Sequence, residues 1–108
     1  MSNVGRGIAG ERRAWHSLED AGYLVASRRH IGGAGDILAV IPRPKLKPTV
    51  AALLVEVKTN GSSPFATFYP PDRAELIATA IEYQCTPLLC WTPSASTIFY
   101  IPEDEWPG

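Results

Sequence analysis

The sequence has only two cysteines and no long apolar run, and these absences limit what the protein can be. Cys85 and Cys90 are too few for a structural metal site of their own, so we expect buried free thiols in a reducing cytoplasm. No apolar run approaches the length of a membrane span, and the N-terminus is glycine-rich and polar where a signal peptide would be apolar. We therefore expect one soluble domain over residues 1–108, with no membrane partner.

Charged residues make up 19% of the chain, and their signs are unevenly distributed. Residues 1–47 carry eight basic and four acidic side chains, whereas residues 48–108 carry two basic and seven acidic ones. This asymmetry suggests one basic face, although a scattered solvated surface explains the charges equally well. Arg28 and Arg29 precede a glycine-rich turn and would suit phosphates. His30 beside them is either an ordinary surface histidine or a DNA contact.

The first helix is predicted over residues 8–21, and Gly22 marks its end. Its apolar stripe includes Trp15 and Leu18, and Glu11 falls on the same stripe, four residues before Trp15. A carboxylate on the core-facing side breaks the pattern, and such breaks concentrate at functional sites. The alternative is an edge glutamate that pairs with a neighbouring basic side chain.

Apolar runs bounded by glycine and proline predict five strands, and a capping box predicts a second helix. The predicted strands are Tyr23–Ala26, Ile37–Ile41, Leu53–Lys58, Pro87–Thr92 and Thr97–Ile101. Residues 1–7 are expected to be a flexible entry, residues 59–71 a long loop, and the acidic tail a last turn packed on the sheet. Asp72 is expected to cap the second helix. That helix is expected to bury Leu76, Ile77, Ala80 and Ile81. The predicted fold class is therefore α/β, with a mixed central sheet flanked by helices.

The predicted strand Leu53–Lys58 ends in two charged residues, Glu56 and Lys58. Side chains two positions apart in a strand point to the same face, and buried charges are costly unless they are paired or bound to a metal. Asp36 is the obvious further partner. If the two neighbouring strands pair antiparallel across the proline-rich segment 42–48, Asp36 falls within a residue or two of the position opposite Glu56. Two carboxylates then converge beside one lysine.

Two hard carboxylates with room for water suit Mg²⁺ or Mn²⁺, which prefer oxygen ligands. Such a metal can activate a water and stabilise the charge that develops on a phosphodiester. Lys58 could orient that water or neutralise the developing charge, and Glu11 could add a ligand or hold a metal-bound water. The alternative is a buried ion pair of Lys58 with Glu56 or Asp36, which would leave surplus buried negative charge.

The order and spacing of these motifs resemble the archaeal-type Holliday junction resolvases of the PD-(D/E)xK nuclease superfamily. The segments that carry the resemblance are Ala9–Glu11, Ala21–Val25, Gly35–Ala39, Val55–Lys58 and Thr86–Leu89. The resemblance extends over nearly the whole chain, and it implies a restriction-endonuclease-like core.

What this resemblance implies is a homodimeric, Mg²⁺-dependent endonuclease that resolves four-way DNA junctions by paired symmetric nicks, with Mn²⁺ able to replace Mg²⁺. The residues that match the family's catalytic positions are Glu11, Asp36, Glu56 and Lys58. The implied metal ligands are Asp36, Glu56, the backbone carbonyl of Val57, and Glu11 directly or through water. The family's DNA-contacting surface corresponds to Arg6, Arg12, Arg13, Arg28 and Arg29. Two alternatives stay open: another structure-specific nuclease of flap or replication-repair type, and a catalytically silent DNA-binding or assembly module.

Overall fold

The computed structural model of the protein describes residues 3–26, 39–42 and 52–107, with two α-helices and five strands. In chain order the elements are α1 (Asn3–Asp20), β1 (Tyr23–Ala26), β2 (Ala39–Pro42), β3 (Leu53–Lys58), α2 (Pro70–Glu82), β4 (Thr86–Ser94) and β5 (Thr97–Pro102). The predicted order of helix, three strands, helix and two strands is confirmed.

The five strands form one mixed sheet in the order β1-β2-β3-β4-β5. The pairs β1–β2, β2–β3 and β4–β5 are antiparallel, whereas β3 and β4 are parallel. Parallel neighbours need a crossover connection, and α2 lies between β3 and β4 in the chain for that reason. The α/β class with a mixed sheet and flanking helices is therefore confirmed.

Helix α1 ends as predicted but begins earlier. Gly22 has φ 102°, a left-handed conformation that glycine adopts without strain, and its N–H donates to the Glu19 carbonyl at 2.9 Å. The helix starts at Asn3, so the expectation of a flexible entry over residues 1–7 is wrong for residues 3–7. Glycine weakens a helix by about 1 kcal/mol but keeps its N–H donor, so Gly5 and Gly7 do not end the helix as proline would.

The face of α1 that meets the sheet is centred on small residues. Gly10, Ala14 and Leu18 are buried, one above the other at four-residue spacing, whereas Glu11 and Trp15 are only half-buried. Leu18 is thus buried as predicted, but the rest of the buried stripe runs through Ala14 and Gly10, one position before the predicted Trp15 and Glu11. Small side chains allow the helix backbone to come close to the sheet, and this close approach decides which face is buried.

Helix α2 begins at Pro70, two residues before the predicted cap. Two prolines occupy its first turn, where φ is already helical and no N–H is needed, so Asp72 lies inside that turn and is not the N-cap. Leu76 and Ala80 are fully buried as predicted. Ile81 is 71% exposed, because it lies beside the buried stripe on the side facing solvent, and its predicted burial is wrong.

The long loop and the acidic tail both pack on the sheet. The loop contains a 3₁₀ turn, Pro64–Ala66, whose N-cap Ser63 accepts the Phe65 N–H through its hydroxyl at 3.2 Å. In the tail, the Trp106 indole donates to the Ile101 carbonyl at 2.9 Å and meets the Phe68 ring edge-on at a centroid distance of 5.1 Å. The prediction that the tail packs on the sheet is confirmed.

Both cysteines are free thiols, with Cys90 buried and Cys85 half-buried. Burial raises the pKa of the Cys90 thiol from its ordinary value of 9.0 to about 12, although the nearby Arg13 guanidinium lowers it. Among the described residues, no helix has both the length and the apolar character needed to cross a bilayer.

The raised pKa of Cys90 predicts that folding stability falls at alkaline pH. Between about pH 9 and about pH 12 the unfolded chain loses a thiol proton that the folded chain keeps, so the free energy of unfolding decreases as pH rises through that window. Urea unfolding over a pH series up to about 10.5 measures this slope. Replacement of Cys90 with alanine should flatten the slope, and an identical slope in both proteins would show that the thiol titrates at its ordinary pKa.

Candidate active site

The charged pair at the end of β3 has the geometry that strand alternation predicts. The Lys58 Nζ and Glu56 Oε1 atoms are 3.6 Å apart, and the side chains are only 20% and 15% exposed. Val55, before the pair, and Val57, between its two members, point to the opposite face and are buried. The two charges therefore share one face at the carboxyl end of the strand, with limited access to solvent.

An aromatic wall supports Lys58 from the side of the long loop. The ammonium of Lys58 lies 5.8 Å from the centroid of the Phe68 ring, within the range of a cation–π interaction. Phe68 is 1% exposed. Its position is fixed by Trp106, described above, and by Arg73, which donates from Nη1 to the Phe68 carbonyl at 2.5 Å. Lys58 is thus held between a carboxylate and an aromatic face. No motif in the sequence marks Phe68 or Trp106 as part of this site.

Asp36 lies outside the described residues, and so do Arg28, Arg29 and His30. The neighbouring strand register is described at one pair, Val40 opposite Leu53. In an antiparallel pair of strands, the numbers of residues that lie opposite each other add to a constant. The sum is 93 for Val40 and Leu53, whereas Asp36 and Glu56 would lie opposite each other at a sum of 92. A difference of one residue exchanges the two faces of a strand, so this pair does not place position 36 opposite Glu56, and the convergence of Asp36 with Glu56 stays a prediction.

Glu11 is half-buried on α1, and its neighbour Gly10 lies against Thr59, the residue that follows β3. A Cβ added to Gly10 would come within 2.9 Å of the Thr92 hydroxyl oxygen and 2.2 Å of the Thr59 Cγ2. Helix α1 therefore touches the residue that directly follows Lys58. The small residue at position 10 could have been identified from the sequence, since glycine and alanine recur four residues apart on one helix face.

The contact of α1 lies on the face of the sheet opposite to Lys58. Lys58 is in register with Trp91 on β4, so these two side chains share a face, and the next residue, Thr92, points to the other face, where it meets α1. Glu11 is thus carried by a helix that covers the face opposite to Lys58, near the carboxyl end of β3.

The two neighbouring arginines of α1 have different environments. Arg12 is exposed. Arg13 is half-buried, its Nη2 donates to the Thr92 carbonyl at 3.4 Å, and its Nε is buried with no hydrogen-bond partner among the described atoms. Arg13 therefore packs against β4. Arg6 lies within α1 near its start.

Glu56 is the carboxylate that the described part of the chain places beside Lys58 at the end of β3. Glu56 supplies carboxylate oxygens, and Val57, the next residue, is in the ladder opposite Cys90. Within residues 3–26, 39–42 and 52–107, no three His, Cys, Asp or Glu side chains are grouped closely enough to hold a metal. A site with the predicted ligands therefore needs Asp36 together with Glu56.

Comparisons with known proteins give no relative. Neither the models of protein families, nor the curated proteins, nor the solved structures provide a match to this chain.

Proposed function

We propose that the protein is a Mg²⁺-dependent DNA endonuclease with a restriction-endonuclease-like core, and that its substrate is the four-way junction. The observation that carries this proposal is the Glu56–Lys58 pair, 3.6 Å apart on one face at the carboxyl end of an otherwise apolar strand. An acid and a cation held together at such a position match the Glu-x-Lys element of the resolvase-like motif. The mixed sheet order, with three antiparallel strands followed by a helical crossover to a parallel strand, supports the same core.

Glu56 and Asp36 would hold the Mg²⁺ ion, with the Val57 carbonyl as a further ligand and Glu11 contributing directly or through water. When bound, this ion would activate a water and neutralise charge on the phosphodiester. The fit is chemical: Mg²⁺ binds through one or two carboxylates and keeps several waters, and Asp36 and Glu56 together would provide such a donor set.

Lys58 would contact the phosphate. Its distance of 3.6 Å to Glu56 is longer than the 2.7–2.9 Å typical of a charge-assisted hydrogen bond. An ammonium group has three donors, and among the described residues Lys58 forms an ion pair with Glu56 alone, so a phosphate oxygen would take another donor. Because the pair is mostly shielded from water, the positive charge acts on a nearby phosphate oxygen more strongly than a solvated lysine would.

The test is cleavage of a labelled four-way junction in Mg²⁺, compared with a flap, a linear duplex and a single strand of the same sequences. Paired symmetric nicks at the junction are the expected result, and they would require two copies of the chain related by a two-fold axis. Cleavage of flaps or ends instead of the junction would support a structure-specific nuclease of another type and contradict junction resolution. No metal-dependent cleavage of any substrate would refute the proposal and favour a DNA-binding module.

The environments of Arg12 and Arg13 predict opposite effects of their replacement by alanine. Loss of the exposed Arg12 should weaken junction binding and reduce the slope of log affinity against log salt by about 1, because one phosphate contact is lost. Loss of Arg13 should leave that slope unchanged and lower stability by roughly 1–2 kcal/mol, because its stem and guanidinium pack on β4. Fluorescence anisotropy over a salt series and urea unfolding measure the two effects. A salt slope lowered by Arg13→Ala but not by Arg12→Ala would contradict these assignments.

A further inference from the structure

Three side chains form a row across the face of the sheet that carries the candidate site. Lys58 on β3 is in register with Trp91 on β4, and Trp91 is in register with Phe99 on β5. Paired residues on adjacent strands point to the same face, so the row runs from the candidate site to the edge of the sheet. It contains one cation and two aromatic rings.

The two rings are stacked and the inner one is fixed. The ring centroids of Trp91 and Phe99 are 5.2 Å apart, with an angle of 26° between the ring planes. The Trp91 indole donates its N–H to the Asn60 carbonyl at 2.7 Å, and Asn60 lies two residues after Lys58. The Asn60 side chain in turn is hydrogen-bonded to Ser63 and Thr67, which anchors the loop beside the row. The stack is therefore hydrogen-bonded to the loop that begins directly after Lys58.

The outer ring faces solvent. Phe99 is 46% exposed, although a phenylalanine in the middle of a strand is usually covered. Among the described residues, no strand pairs with the outer side of β5. An aromatic stack with one exposed end and a lysine at the other has the features of a single-stranded nucleic-acid platform, in which bases stack on rings and a cation contacts the backbone.

We propose that Phe99 binds an unpaired nucleobase by stacking, as an outward continuation of the Trp91–Phe99 pair. This inference deepens the proposed function and rests on it, since it assumes that the phosphodiester lies at Lys58. Neighbouring strands are about 4.8 Å apart, so Phe99 lies two strand spacings, roughly 10 Å, from Lys58. A base stacked on the outer side of Phe99 lies about 3.4 Å farther out, roughly 13 Å from Lys58, which corresponds to about four nucleotides of a stacked strand. Every base has a π-face, so the contact selects unpaired bases near the cut without selecting a sequence.

The test measures binding without cleavage. A fluorescent 12-nucleotide single strand is titrated with the protein in EDTA, and affinity is compared for the unchanged protein, Phe99→Ala and Phe99→Leu. Alanine removes the ring, and leucine keeps the apolar volume but lacks the π-face. Both variants should therefore bind the single strand about tenfold or more weakly than the unchanged protein does. Tyr83→Ala is the control, because Tyr83 is 65% exposed at the end of α2, away from the row. The control should bind as the unchanged protein does.

A strand with abasic positions isolates the base contact. The affinity of the unchanged protein for this strand should fall to about the affinity of Phe99→Ala for the normal strand. The affinity of Phe99→Ala should be nearly the same for both strands. Equal affinity of all variants for the normal strand would overturn the proposal, as would no binding by the unchanged protein. A change in molar mass by light scattering for Phe99→Ala, with unchanged affinity, would overturn it in favour of contact with a second copy. Because EDTA prevents metal-dependent cleavage, absence of nuclease activity would not alter this result, and the two proposals fail separately.

Discussion

Replacement of Glu56 with glutamine is expected to reduce junction cleavage at least about 100-fold while junction binding stays equal or becomes tighter. The amide keeps the size of the carboxylate but removes a charged metal ligand. It also removes negative charge next to Lys58, 3.6 Å away, where the phosphate is expected to lie. Single-turnover cleavage in Mg²⁺ and anisotropy in EDTA give the two quantities separately.

Glu82→Gln is the matched control for this experiment. Glu82 is exposed at the last position of α2, so the same chemical change there should leave both cleavage and binding unaltered. Loss of cleavage and of binding in parallel for Glu56→Gln would indicate a general loss of the folded state or of the DNA surface. Retention of full cleavage would remove Glu56 from the catalytic residues.

Replacement of Gly10 with valine is expected to lower the free energy of unfolding by about 2 kcal/mol. An added Cβ would lie 2.2 Å from the Thr59 Cγ2, and threonine is branched at Cβ and stiff, so the neighbour cannot rotate away at low cost. Valine also gains a little helix propensity over glycine, roughly 0.4 kcal/mol, which does not offset the overlap. Because Thr59 directly follows Lys58, the displaced helix should also reduce cleavage.

Gly61→Val separates the steric effect from the loss of a glycine. An added Cβ at Gly61 meets nothing within 4 Å, so stability should change by less than about 0.5 kcal/mol. The double variant Gly10→Val with Thr59→Ala removes the closest overlapping atom and should recover part of the lost stability. Urea unfolding measures all three variants, and equal stability of Gly10→Val and the unchanged protein would show that α1 does not approach the sheet as closely as described.

Sequence patterns predicted the elements whose signal is local. The strand Leu53–Lys58 was predicted with its observed ends, because a short apolar run that ends in charged and polar residues indicates a strand without help from the rest of the chain. Gly22 was predicted to end α1 because a left-handed residue is needed there. The shared face of Glu56 and Lys58 followed from the alternation of a strand.

Features that depend on distant contacts were not predictable in the same way. Which stripe of α1 is buried depends on how closely Gly10 approaches Thr59 and Thr92, 49 or more positions away in the chain. The ring of Phe68 beside Lys58 depends on the docking of the tail. The position of Glu11 on the face opposite to Lys58 depends on which side of the sheet α1 covers, and periodicity within one helix does not contain that information.

The most direct test of the central claim, that Asp36 and Glu56 together hold one catalytic metal ion, is Mn²⁺ binding measured by titration calorimetry. The titration compares the unchanged protein with Asp36→Asn, Glu56→Gln and the control Glu82→Gln. We predict that Asp36→Asn and Glu56→Gln each weaken Mn²⁺ binding at least about tenfold, and that the control binds as the unchanged protein does. Mn²⁺ affinity that is the same in all four proteins would contradict the metal site and with it the proposed nuclease.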